Sequence, residues 1–283
     1  MAHPDPLTLT YLGVAGWHLQ AGPGSLLIDP YLTRASLWQA AAGHVIPDRT
    51  RIMRHTPPAG TIIVTHGHYD HLSDVPVIAG ESGAAVFASA QSCALLSLLG
   101  LSDKQLHITQ PGDHVEREGL HITIHASLHR RILGRIPYQG PLRPGLRPPL
   151  RARDLRMDEQ HSLHIVAGEV RLLVLSGIDE EPAPESEVVI VGGDASREQL
   201  ARVLEPAAPR LVLPNHWDDM FKPLDTPTRP GRYPAFPLRR IDLAQFAAAV
   251  RAIAPRAQVL IPERLRPYDL HALPVSRGMI SAG

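Results

Sequence analysis

The stretch THGHYDHLSD, residues 65–74, places three histidines and an aspartate within six positions: His66, His68, Asp70 and His71. A neutral imidazole is a good ligand for zinc, iron or manganese, and a carboxylate adds a hard anionic oxygen. His66 and His68 are two apart. At the end of a strand such a pair projects to one side. Asp70 and His71 follow where the chain must turn, so their side chains can swing toward the same cavity. One nitrogen pair and one oxygen–nitrogen pair on a single turn can hold two cations about 3.5–4 Å apart. An engineered histidine tag is contiguous and terminal, whereas this cluster is interrupted, internal and preceded by the apolar run IIV.

The elements around the cluster read as interleaved strands and helices. Thr61–Thr65 is a compact buried strand that delivers the histidines. Leu7–Leu12 and Ser25–Ile28 are further strands, and AGPG before the second reads as a hairpin turn. Val86 lies in a short strand, Ala90–Leu99 is a helix closed by Gly100, and residues 107–110 are extended. Residues 120–128 alternate: Leu120, Ile122, Ile124, Ala126 and Leu128 face one way, and His121, Thr123, His125, Ser127 and His129 the other. That period of two marks a half-buried strand. Residues 162–167 and 171–176 flank GEV as a second hairpin. Val188–Val191, a helix over 198–204 and Leu211–Leu213 form a strand–helix–strand unit, followed by a helix over 242–253 and a strand over 259–261. The two strand-rich halves are compatible with an old duplication. Residues 137–156, with five prolines and five arginines, cannot be a regular helix or central strand and read as a surface loop inserted into a single domain spanning 1–283.

With 283 residues, of which 44% are hydrophobic, the chain can bury about three quarters of its unfolded surface. The 28 basic and 28 acidic residues balance to a formal net charge of zero, which argues against a general attraction to nucleic acid or to an anionic membrane. The one cysteine, Cys93, forms no internal disulfide and sits in an apolar helical run that suggests packing rather than catalysis. No basic segment followed by an apolar one opens the chain, and no run of about 18 apolar residues occurs. A cytoplasmic location is the expectation. Only Lys104 and Lys222 are lysines, and this arginine bias resembles that of a GC-rich bacterial genome.

The motif H-x-H-x-D-H in THGHYDHLSD resembles the signature of the metallo-β-lactamase-fold hydrolases. YLGVAGWHLQAGPGSLLIDPYL is similar to their opening hairpin, ITIHASLHRR to the strand delivering their next histidine, HSLHIVAGEVRLLVLSGID to the hairpin delivering a bridging aspartate, and PRLVLPNHWDD to the strand end delivering the last histidine. The hairpins and LIDP look most like the branch containing ascorbate-phosphate lactonase. The resemblance covers most of the chain. It implies an α/β fold, a four-layer αββα sandwich of two mixed sheets flanked by helices, and a pair of divalent ions, zinc foremost and manganese or iron otherwise. It assigns His66, His68 and His129 to the first ion, and Asp70, His71 and His216 to the second, with Asp179 bridging. Asp29 of LIDP would orient a ligand histidine from behind. One position departs from the pattern: Ile178 separates Gly177 from Asp179, where the family places its aspartate directly after the glycine. A local bulge would absorb the offset, or Asp194 of VGGD would substitute.

The implied chemistry is hydrolysis of a small-molecule ester, lactone, amide or phosphoester by a hydroxide made on the metal pair, with Asp70 orienting the water or accepting its proton. Arg130 and Arg131 precede the Pro/Arg loop and are candidates to clamp an anionic substrate, against the alternative of a solvated or self-associating loop. Trp217 and Tyr138 are candidate apolar walls. A phosphodiesterase or nuclease of the same fold, an iron redox enzyme and a non-catalytic metal-binding protein are the rival readings.

Overall fold

The computed structural model describes residues 6–132, 134–177, 182–232 and 240–272. Its first sheet gathers β1 (Leu7–Gly13), β2 (Gly16–Ala21), β3 (Gly24–Ile28), β4 (Thr61–Ile63), β5 (Ala85–Ala88) and β6 (Leu106–Ile108). The second gathers β7 (His114–Arg117), β8 (Leu120–Ser127), β9 (Gln160–Ala167), β10 (Val170–Val174), β11 (Val188–Gly192), β12 (Leu211–Asn215) and β13 (Gln258–Val259). A last strand, β14 (Pro267–Asp269), returns to the first sheet beside β1. The strand orders are β14-β1-β2-β3-β4-β5-β6 and β13-β12-β11-β10-β9-β8-β7.

Each sheet is antiparallel in one half and parallel in the other. In the first, β1 to β3 run antiparallel and β3 to β6 parallel; in the second, β7 to β10 run antiparallel and β10 to β13 parallel. Parallel neighbours require crossovers, and helices supply those that follow β3, β4, β5, β11 and β12. These are α1 (Leu37–Ala41), α2 (Arg49–His55), α3 (Tyr69–Leu72), α4 (Val75–Ser82) and α5 (Ala90–Leu98) in the first half, then α6 (Arg197–Ala207) and α7 (Leu243–Ile253). Parallel strands buried on both faces read as unbroken apolar runs. VVIVG of β11 and LVL of β12 do so, with every residue of LVLPN buried.

Three apolar layers separate four layers of backbone. Leu9, Trp17, Leu26, Ile122, Ile165 and Leu213 fill the space between the sheets. Leu27, Ile62, Val86 and Leu96 pack the first sheet against its helices, and Val189, Val212, Leu200 and Phe246 do the same for the second. This is the expected αββα sandwich. The helix ends follow capping chemistry: Ser196 and Gln199 form a reciprocal box at the start of α6, and the Asp242 carboxylate accepts from the Gln245 amide at the start of α7.

Two local expectations need correction. The β8 ladder runs unbroken from Leu120 to Ser127, but burial follows the alternation only as far as Ile124. Ala126 and Leu128 emerge at the rim, where the inter-sheet core ends, and Ser127 is covered instead. The Pro/Arg segment is also more than a surface loop. Leu150, Ala152 and Leu155 are buried in the helix-side core of the first sheet, and Leu142 and Leu146 pack against it. Gln91 holds the segment closed: its amide donates to the carbonyls of Gly140 and Arg156 and its oxygen accepts from the Leu142 amide. No helix among the described residues is long and apolar enough to cross a membrane.

Candidate metal centre

β4 ends at Ile63 and the chain passes through Thr65, His66 and His68 into the single turn of α3, which carries Asp70 and His71. His129 follows the end of β8, and His216 follows the end of β12. The fold brings these six side chains together in two groups. Ligand atoms of His66, His68 and His129 all lie within 4.8 Å of one another, and so do those of Asp70, His71 and His216. Asp179 lies outside the described residues.

The hydrogen bonds behind the rings decide which nitrogen each presents. His71 Nδ1 is 2.8 Å from Asp29 Oδ2, His129 Nδ1 is 2.8 Å from the Arg130 carbonyl, and His68 Nε2 is 2.9 Å from the Pro137 carbonyl. These acceptors carry no proton, so in each case the ring donates and its other nitrogen keeps the lone pair. Thr65 donates its hydroxyl to Asp29 Oδ2 at 2.6 Å, which leaves Thr65 Oγ1 to accept from His66 Nδ1 at 3.1 Å. The lone pairs of His66 Nε2 and His68 Nδ1 then converge at 3.1 Å. In the second group, Asp70 Oδ2 lies 3.1 Å from His216 Nε2 and 3.6 Å from His71 Nε2. Four imidazoles locked with their free nitrogens inward, plus an anionic oxygen, form a donor set suited to divalent ions. Asp29 accepts from His71 and also from the Thr65 amide at 2.7 Å.

Titration behaviour agrees with that geometry. Burial, reinforced by the neighbouring histidines, pushes His66 well below its usual pKa of 6.5. Burial likewise brings His68 to about 3 and His129 to about 4. Burial raises Asp70, but His71, His216 and His68 together outweigh it and hold the carboxyl well below the usual range. His71 runs the other way, because Asp29 and Asp70 overcome the effect of burial and raise it. His66, His68, His129 and Asp70 are therefore ready to bind cations at neutral pH without first losing protons, whereas a cation must displace the proton that His71 favours.

A pH dependence follows for chain stripped of metal. His66, His68 and His129 bind protons when unfolded below pH 6.5 and resist them when folded. The unfolded state thus gains protons first, and stability falls as pH drops from 6.5 toward about 4 and then about 3; His71 opposes this in part. Melting temperatures of chelator-treated protein measured from pH 7 to pH 4 are expected to fall across that window. A flat profile would contradict the neutral, buried imidazoles.

Two glycines, Gly67 and Gly177, shape the site through close approaches that the sequence does not announce. A Cβ on Gly67, between the two motif histidines, would fall on the Arg156 carbonyl oxygen, and one on Gly177 would fall on the Leu128 carbonyl oxygen. Only glycine allows these close backbone approaches. The Pro/Arg segment therefore reaches the centre twice, through Pro137 against His68 and through Arg156 against Gly67. Tyr138, 38% exposed, stands with its ring perpendicular to His68 at 6.2 Å. Trp217 is buried and stacks on Tyr11 at 5.9 Å, so it belongs to the core rather than to an open wall. Arg130 forms an ion pair with Asp194, whose pKa burial raises to about 6 while His216 pulls it down. Asp194 is thus near His216 but falls in neither ligand group. The Arg131 side chain is exposed. Cys93 is buried, and burial pushes its thiol up to about 11, as expected for a packing residue.

A model of the beta-lactamase superfamily domain matches residues 25–143. A UPF0173 metal-dependent hydrolase of Rhizobium etli is 33% identical over 95 residues, 34% of this chain and 37% of that protein. One from Agrobacterium fabrum is 32% identical over 117 residues, 41% of this chain and 45% of its own. The matched region thus spans less than half the length of these relatives. Among solved structures, Igni18, a metallo hydrolase from Ignicoccus hospitalis, superposes with a TM-score of 0.58 at 18% identity, covering 93% of this chain and 98% of that one. CmlA, a diiron β-hydroxylase from Streptomyces venezuelae, gives 0.61 at 15% identity over 95% of this chain and 55% of its own. Residues 25–143 are thus similar to the beta-lactamase superfamily domain, and the paired sheets share the fold of these metal-binding enzymes.

Proposed function

We propose that this protein is a metal-dependent hydrolase in which His66, His68 and His129 hold one divalent ion and Asp70, His71 and His216 a second. The convergence of ligand atoms to within 4.8 Å of one another inside each donor group carries this reading. The metal-dependent hydrolase names of its relatives support it. Zinc is the first choice of metal. When bound, such a pair acidifies water from a pKa of about 15.7 to near 7 and polarises a carbonyl or phosphoryl oxygen. The chain's own residues orient that chemistry. Asp70, ionised and within reach of His216 and His71, holds its carboxylate toward the centre and takes the proton of the attacking water. Asp29, the Pro137 carbonyl and the Arg130 carbonyl fix the rings.

The substrate class is a small ester, lactone, amide or phosphoester, and Arg131 on the exposed rim favours an anionic one. Arg130 adds positive charge there while sharing it with Asp194. Zinc-loaded protein is tested against lactones, p-nitrophenyl esters, p-nitrophenyl phosphodiesters and a labelled RNA. Turnover of a small substrate, abolished by chelator, is the expected result; cleavage of RNA alone would favour a nuclease. An iron content with no hydrolysis of any member would favour a redox enzyme. For whichever anionic substrate turns over, Arg131→Ala is expected to raise KM several-fold with kcat and melting temperature unchanged, as removal of one exposed charge contact should. An unchanged KM would remove Arg131 from substrate binding.

A further inference from the structure

His216 reaches the centre from an unusual backbone. Its φ is +49°, and the two residues that support it, Val14 and Arg34, have φ of +56° and +55°. Left-handed backbone is an outlier for a β-branched residue such as Val14, and it persists only where surrounding contacts dictate it. Those contacts form one chain. The His216 amide donates to the Val14 carbonyl at 2.7 Å. The Val14 amide donates to Asp218 Oδ1 at 2.7 Å, and the Tyr11 hydroxyl donates to the same oxygen at 2.9 Å. Asp218 Oδ2 pairs with the Arg34 guanidinium at 2.9 Å, with the two side chains 1% and 0% exposed, and Arg264 approaches the same oxygen at 3.9 Å.

The far end of the chain is anchored to the motif itself. Asp74, three residues after His71, accepts from the Leu32 amide at 2.6 Å, the Thr33 amide at 2.7 Å and the Thr33 hydroxyl at 2.6 Å. Arg34 follows directly. A continuous line of buried polar contacts thus runs from the motif turn through Asp74, the 32–34 loop, Arg34, Asp218 and Val14 to the His216 backbone. Gly13 makes room for it, because a Cβ there would collide with the Arg34 guanidinium. None of these groups faces the ligand atoms, and a buried ion pair is a weak source of net stability.

We infer that the Arg34–Asp218 pair is a positioning device for the second ion: it sets His216 against Asp70 and His71 from 184 positions apart in the chain. This rests on the reading that the second group holds a cation.

The test titrates cobalt(II) into metal-free full-length protein and follows the d–d absorption of the first and second equivalents. In the double variant Arg34→Met/Asp218→Ala, the second equivalent is expected to bind about 10–100-fold more weakly. The first equivalent should change less than about threefold, because its histidines lie on other supports. Arg34→Met/Asp218→Asn keeps a neutral acceptor for the Val14 amide and is expected to recover much of the loss. Should the alanine variant fail to fold, Arg34→Lys keeps the charge but loses the planar fork and should weaken the second equivalent selectively. Equal weakening of both equivalents would make the pair a general fold support and overturn the inference, as would an unchanged second equivalent. Wild-type protein that takes up no second equivalent would remove the two-ion reading itself, and this inference with it.

Discussion

Gly67→Ala is expected to lose the metal proposed for His66, His68 and His129 and about 1–3 kcal/mol of stability. The added methyl would be driven onto the Arg156 carbonyl oxygen, a backbone atom with no rotamer by which to escape. Arg156 is itself held, since its carbonyl accepts from Gln91 and its guanidinium donates to the carbonyls of Gln139 and Gly140. The motif strand end must therefore give way instead, and it carries His66 on one side of the glycine and His68 on the other. Displacement of either ring separates lone pairs that meet at 3.1 Å. Metal content measured by mass spectrometry beside a thermal melt checks both effects. A variant with full metal content and unchanged melting would show that the contact is not restrictive.

Asp29→Ala is expected to be more damaging still. The carboxylate takes a backbone amide and a hydroxyl from Thr65 and a ring N–H from His71, and the residue is 1% exposed. Each donor left buried without an acceptor costs about 1–3 kcal/mol. Loss of the support behind His71 is expected to lower affinity for the proposed second ion by about 10–100-fold. Alanine also tolerates the φ of +44° at this position poorly. Asp29→Asn is the informative milder change. Asparagine accepts that backbone and keeps one acceptor oxygen, but sets an amide where the His71 proton must go. It should fold, bind the first ion normally and bind the second weakly; calorimetric metal titration of both variants distinguishes these outcomes.

The contrast between those two residues shows what the sequence reveals. His66, His68, Asp70 and His71 are legible because one turn holds them, and the spacing alone states their chemistry. Asp29 is legible through LIDP. His129 and His216 are separated from the motif by whole strands, and only the resemblance connects them to it. The supports that set ring orientation are largely backbone carbonyls, of Pro137 and Arg130, and a carbonyl has no signature in a sequence. Gly67 hides for the same reason, since its need arises from Arg156 nearly ninety positions away. The long periodic elements β8, β11, α6 and α7 were readable, whereas α2, α4 and β7 are too short or too irregular for a period to emerge. The Pro/Arg segment misleads in its own way: its leucines at 142, 146, 150 and 155 pack inward, but prolines break any regular spacing that would announce it.

The most direct measurement is transition-metal content by mass spectrometry of full-length protein purified without added metal, alongside His68→Ala and His216→Ala. About two ions per chain are expected in the wild type, zinc foremost, with each variant losing one. Wild-type protein free of transition metal, or variants that retain the full wild-type content, would contradict the two-ion centre.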